Sequence, residues 1–244
     1  MDSGMYAALA GSIASMKRLD IISNNLANSA THGFKRDNVS FEALLADSMA
    51  GSGDTGLSRA VQVSAERSAV DFSQGGIIQT GNSLDFAIKG DGFFVVRTPQ
   101  GVAYTRQGSF HLGENGRLIS GDGYEVQGGG GGITLPAGSV AVDERGRISV
   151  DGREVATLDI VDFPKPYLLE KVGSNLLASA DQEQPPFAAT GSSVQQGALE
   201  GSNVNAVKEM AAMIENSRFF EACEKIVRSY DEIKGKAVNE LGRL

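Results

Sequence analysis

The sequence predicts an α+β fold, in which a discontinuous terminal α-helical coiled-coil domain brackets a central antiparallel β domain. Three observations predict it. Apolar residues recur every three or four positions at both ends of the chain, and they alternate with polar or small residues in the middle. The glycines crowd between Gly75 and Gly152, where turns between short strands are needed. The division implied is 1–45 with 200–244 as the terminal helical domain, 46–80 as an extended connector, and 81–199 as the β domain.

The first element runs from Asp2 to about Asn28. Tyr6, Leu9, Ile13 and Met16, then Leu19, Ile22 and Leu26, carry the helical period, with Asp2 or Ser3 available as N-cap. Ser29 to Gly33 are small, polar or glycine, and stop the helix ahead of Phe34-Lys35-Arg36. Phe41 to Leu45 read as a short helical turn, and Ala50 to Gly56 as a loop or flexible connector.

The middle follows a period of two. Leu84, Phe86 and Ile88 alternate with other residues, Gly90-Asp91-Gly92 supplies a turn, and Phe93 to Val96 continue as a buried strand. Thr98-Pro99-Gln100-Gly101, Asn115-Gly116, Gly121-Asp122-Gly123 and Asp151-Gly152 mark further turns. Gly128 to Gly132 lack the Lys-Ser/Thr that a phosphate loop requires, and read as a flexible hairpin tip.

Helix returns at the C-terminal end. Asn203 or Asn205 can cap it, and a helix over 206–241 would be ~54 Å long at ~1.5 Å per residue. Phe219, Cys223, Ile226, Tyr230, Ile233 and Ala237 are spaced four, three, four, three, four, which is a coiled-coil seam. Val207, Ala211 and Ile214 make a similar stripe displaced by one position, a change of winding or of partner. Cys223 falls within the seam, so it reads as a small buried hydrophobe and not a reactive thiol.

Composition narrows the function. A net charge of −8 and a pI near 4.9 repel nucleic acid and anionic membranes, and one cysteine permits neither an intrachain disulfide nor a cysteine metal cluster. The pattern of a cleaved secretory signal is absent, and no run reaches the ~18 apolar residues of a membrane span. With only His32 and His111, and without Gly-x-Ser-x-Gly or His-Glu-x-x-His, no catalytic, cofactor-binding or metal-binding residue is expected. Asp159 and Asp162 could mimic a glycosidase carboxylate pair, but strand-edge solvation explains them more simply. An enzyme acting on wall glycan and a soluble binding module are therefore the weaker alternatives.

Asn24-Asn25-Leu26-Ala27-Asn28 followed by Thr31-His32-Gly33-Phe34-Lys35 resembles the N-terminal signature of the flagellar rod and hook family of axial proteins. Leu199-Glu200-Gly201-Ser202-Asn203-Val204-Asn205, leading to Glu209-Met210, Met213-Ile214 and Arg218, is similar to the family's C-terminal signature. Thr80 to Ile88, Gly90 to Val96 and Ala103-Tyr104-Thr105-Arg106 resemble its central segment. Residues 128–169 are not diagnostic, and His32 stands where family members often carry a second threonine.

The resemblance implies a structural subunit of the periplasmic rod in the flagellar basal body. Its implied partners are copies of itself, other rod subunits and the flagellar type III export apparatus, without nucleic acid or membrane insertion. The residues expected to carry assembly are Leu9, Ile13, Met16, Asn24, Asn25, Leu26, Asn28, Gly33 and Phe34 at one end. At the other they are Asn203, Val204, Val207, Met210, Ile214, Phe219, Cys223, Ile226, Tyr230 and Ile233. The physical reading agrees. A small β domain cannot cover two long apolar seams, so the ends pair with each other, with neighbours or with both, and non-closing contacts build a filament.

Overall fold

The computed structural model describes residues 2–39, 68–179 and 185–241. Phe41 to Leu45, Ala50 to Gly56 and the side chains of Asp2, Ser3 and Ala237 lie outside the described residues. The chain divides into two compact units. One gathers 1–27, 37–71 and 205–244, and the other 28–36 and 72–204.

The first unit is built on two antiparallel helices, Asp2–Ala27 and Ala206–Leu241. The second helix starts at Asn205, whose Oδ1 accepts a hydrogen bond from the Lys208 amide at 3.0 Å. That satisfies one of the amides left unpaired in a first helical turn. The side chains buried from the N-terminal helix are mostly small: Ala8, Ser12, Ser15, Ile22 and Asn25. Opposite them lie Glu209, Asn216 and Cys223, also buried. Small residues let the helix backbones approach closely. A Cβ added at Gly11 would stand 3.2 Å from the Cys223 sulfur. In the middle of the pair, the Ser15 hydroxyl donates to the Asn216 carbonyl at 3.1 Å, and the Asn216 amide donates back to the Ser15 carbonyl at 2.7 Å.

This pairing corrects the expected seams. Cys223 is buried and Tyr230 half-buried, but Phe219, Ile226 and Ile233 are exposed. At ~100° per residue the latter three fall beside the contact line and not on it. The strict four-three spacing therefore merged an inner position with an outer one. Tyr6, Leu9, Ile13 and Met16 form a stripe on the far side of the N-terminal helix from Ala8, Ser12 and Ser15. A short antiparallel ribbon, Asp37–Val39 with Ser68–Val70, completes the described part of this unit.

The second unit is antiparallel β throughout its described pairings. Its main sheet runs in the order Leu169–Gly173, Leu176–Ser179, Gly101–Thr105, Phe93–Thr98, Glu125–Gly128, Leu118–Ser120, Phe110–Leu112. Val140–Val142, Arg147–Val150 and Arg153–Thr157 form a meander, closed at Asp151-Gly152 by a two-residue turn in which both residues have positive φ. Gly128 pairs with Gly131, so the glycine run is a hairpin tip. Phe94 and Val96 enter one apolar core with Phe86, Phe110 and Leu118, while Phe93 and Val95 enter another with Tyr104, Phe163 and Leu177. The period of two is present, but both faces of this strand are covered, which is why Phe93 to Val96 are continuously apolar.

Late strands return to early ones. Ser193–Gln196 pairs with Phe86–Lys89, and Ala198–Glu200 with Ile77–Gln79. The expected connector 46–80 therefore includes two described strands, Ser68–Val70 and Ile77–Gln79, because each finds an edge to pair with. Residues 28–36, expected with the helices, group with the β unit.

Candidate assembly surfaces and the buried ion cluster

Within the helical unit, several large apolar side chains remain exposed among polar ones. On the N-terminal helix they are Tyr6, Leu9, Ile13 and Met16, the last 55 % exposed. On the C-terminal helix Val207, at 72 %, Met210 and Ile214 line the face opposite the contact line, and Phe219, Ile226 and Ile233 its flank. Large exposed apolar patches in soluble proteins often mark interaction sites.

Other expected assembly residues are committed within the chain. Asn25 is buried and clamps the Asp37 backbone, its amide donating to the carbonyl and its oxygen accepting from the N–H, both at 2.9 Å. Asn24 is exposed, and Leu26 half-buried. The Asn28 side chain accepts a hydrogen bond from the Thr31 hydroxyl at 3.2 Å, so the turn after the helix keeps its hydroxyl contact with His32 next to it. Gly33 has φ +72, and a Cβ there would run into the backbone of Arg106 and Gln107. Phe34 is buried, with the Lys171 ammonium 4.1 Å above its ring. The Asn203 side chain ties two earlier segments of the β unit together. Its oxygen accepts from the Arg36 amide at 2.7 Å, and its nitrogen donates to the Ser73 carbonyl at 3.2 Å. Val204 is half-buried.

The residues sequence reasoning missed lie inside the blocks it singled out. Glu200, whose side chain has 0 % exposure, accepts from the Lys35 ammonium at 2.7 Å, from Arg106 at 3.1 Å and from the Gly75 amide at 2.9 Å. Lys35 also donates to the Ser73 carbonyl at 2.7 Å, and Arg106 to the Gly90 carbonyl at 2.7 Å while lying over the Phe93 ring. Two buried cations thus share one buried anion, and carbonyls and a ring face take up the remaining positive charge. The N-terminal, central and C-terminal blocks each supply one member. Charged residues in all three blocks were the available signal.

A cavity of about 600 Å³ opens beside the cluster, sharing Ser73 and Gly90 with it and lined also by Gln74, Asp91, Asp162, Lys165, Tyr167 and Phe187. Tyr167 donates to Asp162 at 2.9 Å, and Lys165 pairs with Asp91 at 2.7 Å. Asp159 accepts from the Gly129 amide at 3.0 Å. Each of the two carboxylates weighed as a catalytic pair thus holds a local structural bond. Among the described residues, no group of three or more His, Cys, Asp or Glu is placed to hold a metal ion, and no helix is long and apolar enough to cross a membrane.

Three family descriptions match in chain order: "Flagella basal body rod protein" over residues 5–35, "Flagellar hook protein FlgE/F/G D1 domain" over 87–150, and "Flagellar basal body rod FlgEFG protein C-terminal" over 195–240. The chain is 36 % identical over 247 residues to the flagellar basal-body rod protein FlgF of Rhizobium meliloti (strain 1021), with 99 % of each chain covered. It belongs to the flagellar basal-body rod protein family. FlgF of Mesorhizobium japonicum (strain LMG 29417 / CECT 9101 / MAFF 303099) is 32 % identical, again over 99 % of both chains. FlgG of Bacillus subtilis (strain 168) is 34 % identical over 96 % of this chain and 97 % of its own. The buried cluster joins the three separately matched parts of the family, since Lys35, Arg106 and Glu200 fall one in each.

Proposed function

We propose that this chain is a structural, non-enzymatic subunit of the proximal flagellar rod, and that it polymerises through the outward faces of its terminal helices into the axial drive shaft of the basal body. The observation that carries this reading is the pair of exposed apolar stripes, Leu9, Ile13 and Met16 on one helix and Val207, Met210, Ile214, Phe219, Ile226 and Ile233 on the other. The inner faces of these helices already cover one another. Burying the outer stripes against neighbours is favourable at ~25 cal/mol per Å² of apolar surface.

The partners in this reading are copies of the chain and other rod subunits. Delivery through the flagellar type III export apparatus, without a cleaved signal, belongs to the same proposal, and puts the subunit in the periplasmic part of the basal body. The charge of −8 argues against nucleic acid as a partner. A FlgG-type, distal position in the same shaft is the second reading, supported by the 34 % identity to the Bacillus subtilis protein.

Ile226→Asp tests the proposal. It sets a charge into the flank stripe at a site 46 % exposed in the chain, so the helix pair keeps its fold, while a neighbour closing over it must desolvate a carboxylate. Cells carrying only this variant are expected to make the protein at parental levels, yet to lack rods beyond this subunit and to be non-motile. Normal swimming would show that another surface does the assembling.

A further inference from the structure

We propose that the cavity of about 600 Å³ on the β unit is a binding site for a neutral saccharide, with the Phe187 ring as its platform and Asp162, Asp91 and Lys165 as partners for the sugar hydroxyls. Strand pairing makes the platform. Phe187 stands directly opposite Asp162 in the antiparallel register, so ring and carboxylate project from the same face of that ribbon, roughly 5 Å apart at Cβ. The ring belongs to neither apolar core and is 50 % exposed, and both side chains line the cavity. One Asp162 oxygen accepts from the Phe163 amide and the Tyr167 hydroxyl, both at 2.9 Å, while its other oxygen has no hydrogen bond among the described residues. Asp91 likewise uses one oxygen, on the Lys165 ammonium at 2.7 Å, and Lys165 keeps two N–H donors in hand. Acceptors and donors are therefore both open beside an exposed ring.

The facing wall is fixed from behind. Lys35 donates to the Ser73 carbonyl, Arg106 to the Gly90 carbonyl and the Gly75 amide to Glu200, while Gln74 bridges the Gly90 amide and the Ile88 carbonyl. A wall ordered in advance lowers the entropy lost on binding. The lining decides the ligand class. Asp91 and Asp162 repel an anion, and a cation finds its place on Asp91 and the Tyr167 ring already taken by Lys165, 5.5 Å from the ring centroid. A wholly apolar ligand would strip water from two carboxylates and an ammonium without replacing it. A pyranose brings no charge to desolvate, lays a C–H face on an aromatic ring, and carries rim hydroxyls that both donate and accept. The volume lies within the ~300–1,000 Å³ of small-molecule sites.

Saturation-transfer NMR of the full-length chain, titrated with cellotriose and with chitotriose, tests this. At least one of the two is expected to receive saturable transfer at its ring C–H protons. Phe187→Ala and Asp91→Ala alter exposed side chains, so both variants should keep the parent's thermal transition, yet each should weaken binding by about tenfold or more. Leu112→Ala, exposed on a strand that does not line the cavity, should bind as the parent does. No saturable transfer to either trisaccharide, parental binding by Phe187→Ala, or an equal loss in Leu112→Ala would each overturn the site. Arginine ethyl ester binding more tightly than both sugars would overturn the ligand class.

Discussion

Gly33 is fixed by two demands at once. Its φ of +72 lies where a side chain is disfavoured, and the space a Cβ would need is occupied by the backbone of Arg106 and Gln107. Gly33→Ala is expected to destabilise the β unit by about 2–4 kcal/mol, since neither the turn nor that backbone can yield cheaply. Denaturant unfolding of the full chain checks it, and a midpoint equal to the parent's would mean that the segment relaxes. Tyr167 gives a pH signature. Burial, and then the hydrogen bond to Asp162, hold its phenol well above the ordinary value of 10.0. An unfolded tyrosine releases its proton near that ordinary value while folded Tyr167 keeps it, so the stability involved is complete below pH 10 and is lost as pH rises towards the folded value. Tyr167→Phe should therefore decline less steeply than the parent in unfolding midpoint above pH 10. Parallel declines would remove Tyr167 as the cause.

The helix pair is held by fit at small residues more than by apolar bulk. Ser15→Leu should push the backbones apart and strand the two bonds with Asn216, at a cost of about 2–4 kcal/mol in helix melting followed by circular dichroism. Ile13→Ala, on the exposed stripe, should cost less than about 0.5 kcal/mol by the same measurement. Equal losses from the two would mean that the faces are assigned the wrong way round. Element limits were legible, because the Asn205 cap and the helical period mark where a helix starts and runs, and Asp-Gly and Asn-Gly mark turns. The buried face was not. Periodicity records every apolar stripe, whether it packs inside the chain or against a neighbour, and Ala8, Ser12 and Ser15 give almost no hydrophobic signal. The Glu200 cluster was illegible for a different reason. A glutamate at the end of a strand reads as solvated, and its cationic partners are 165 and 94 positions away.

At the level of the molecule, the exposed apolar stripes proposed for assembly are distinct from the side chains buried between the two helices, and this makes the proposal testable by mutation. For Ile226→Asp the far-UV spectrum and thermal transition of the purified chain should match the parent's, while concentration-dependent self-association seen in sedimentation should disappear. Loss of the thermal transition together with association would show that the flank stripe is core. The reciprocal bonds between Ser15 and Asn216 have a mechanical side as well. A pull along one helix against the other is met by two short hydrogen bonds at a single level, backed by Gly11 seated against Cys223. Sliding by a turn would shear both bonds and bring bulkier residues into the narrow gap. The pair is therefore keyed against axial slip where Ser15 meets Asn216.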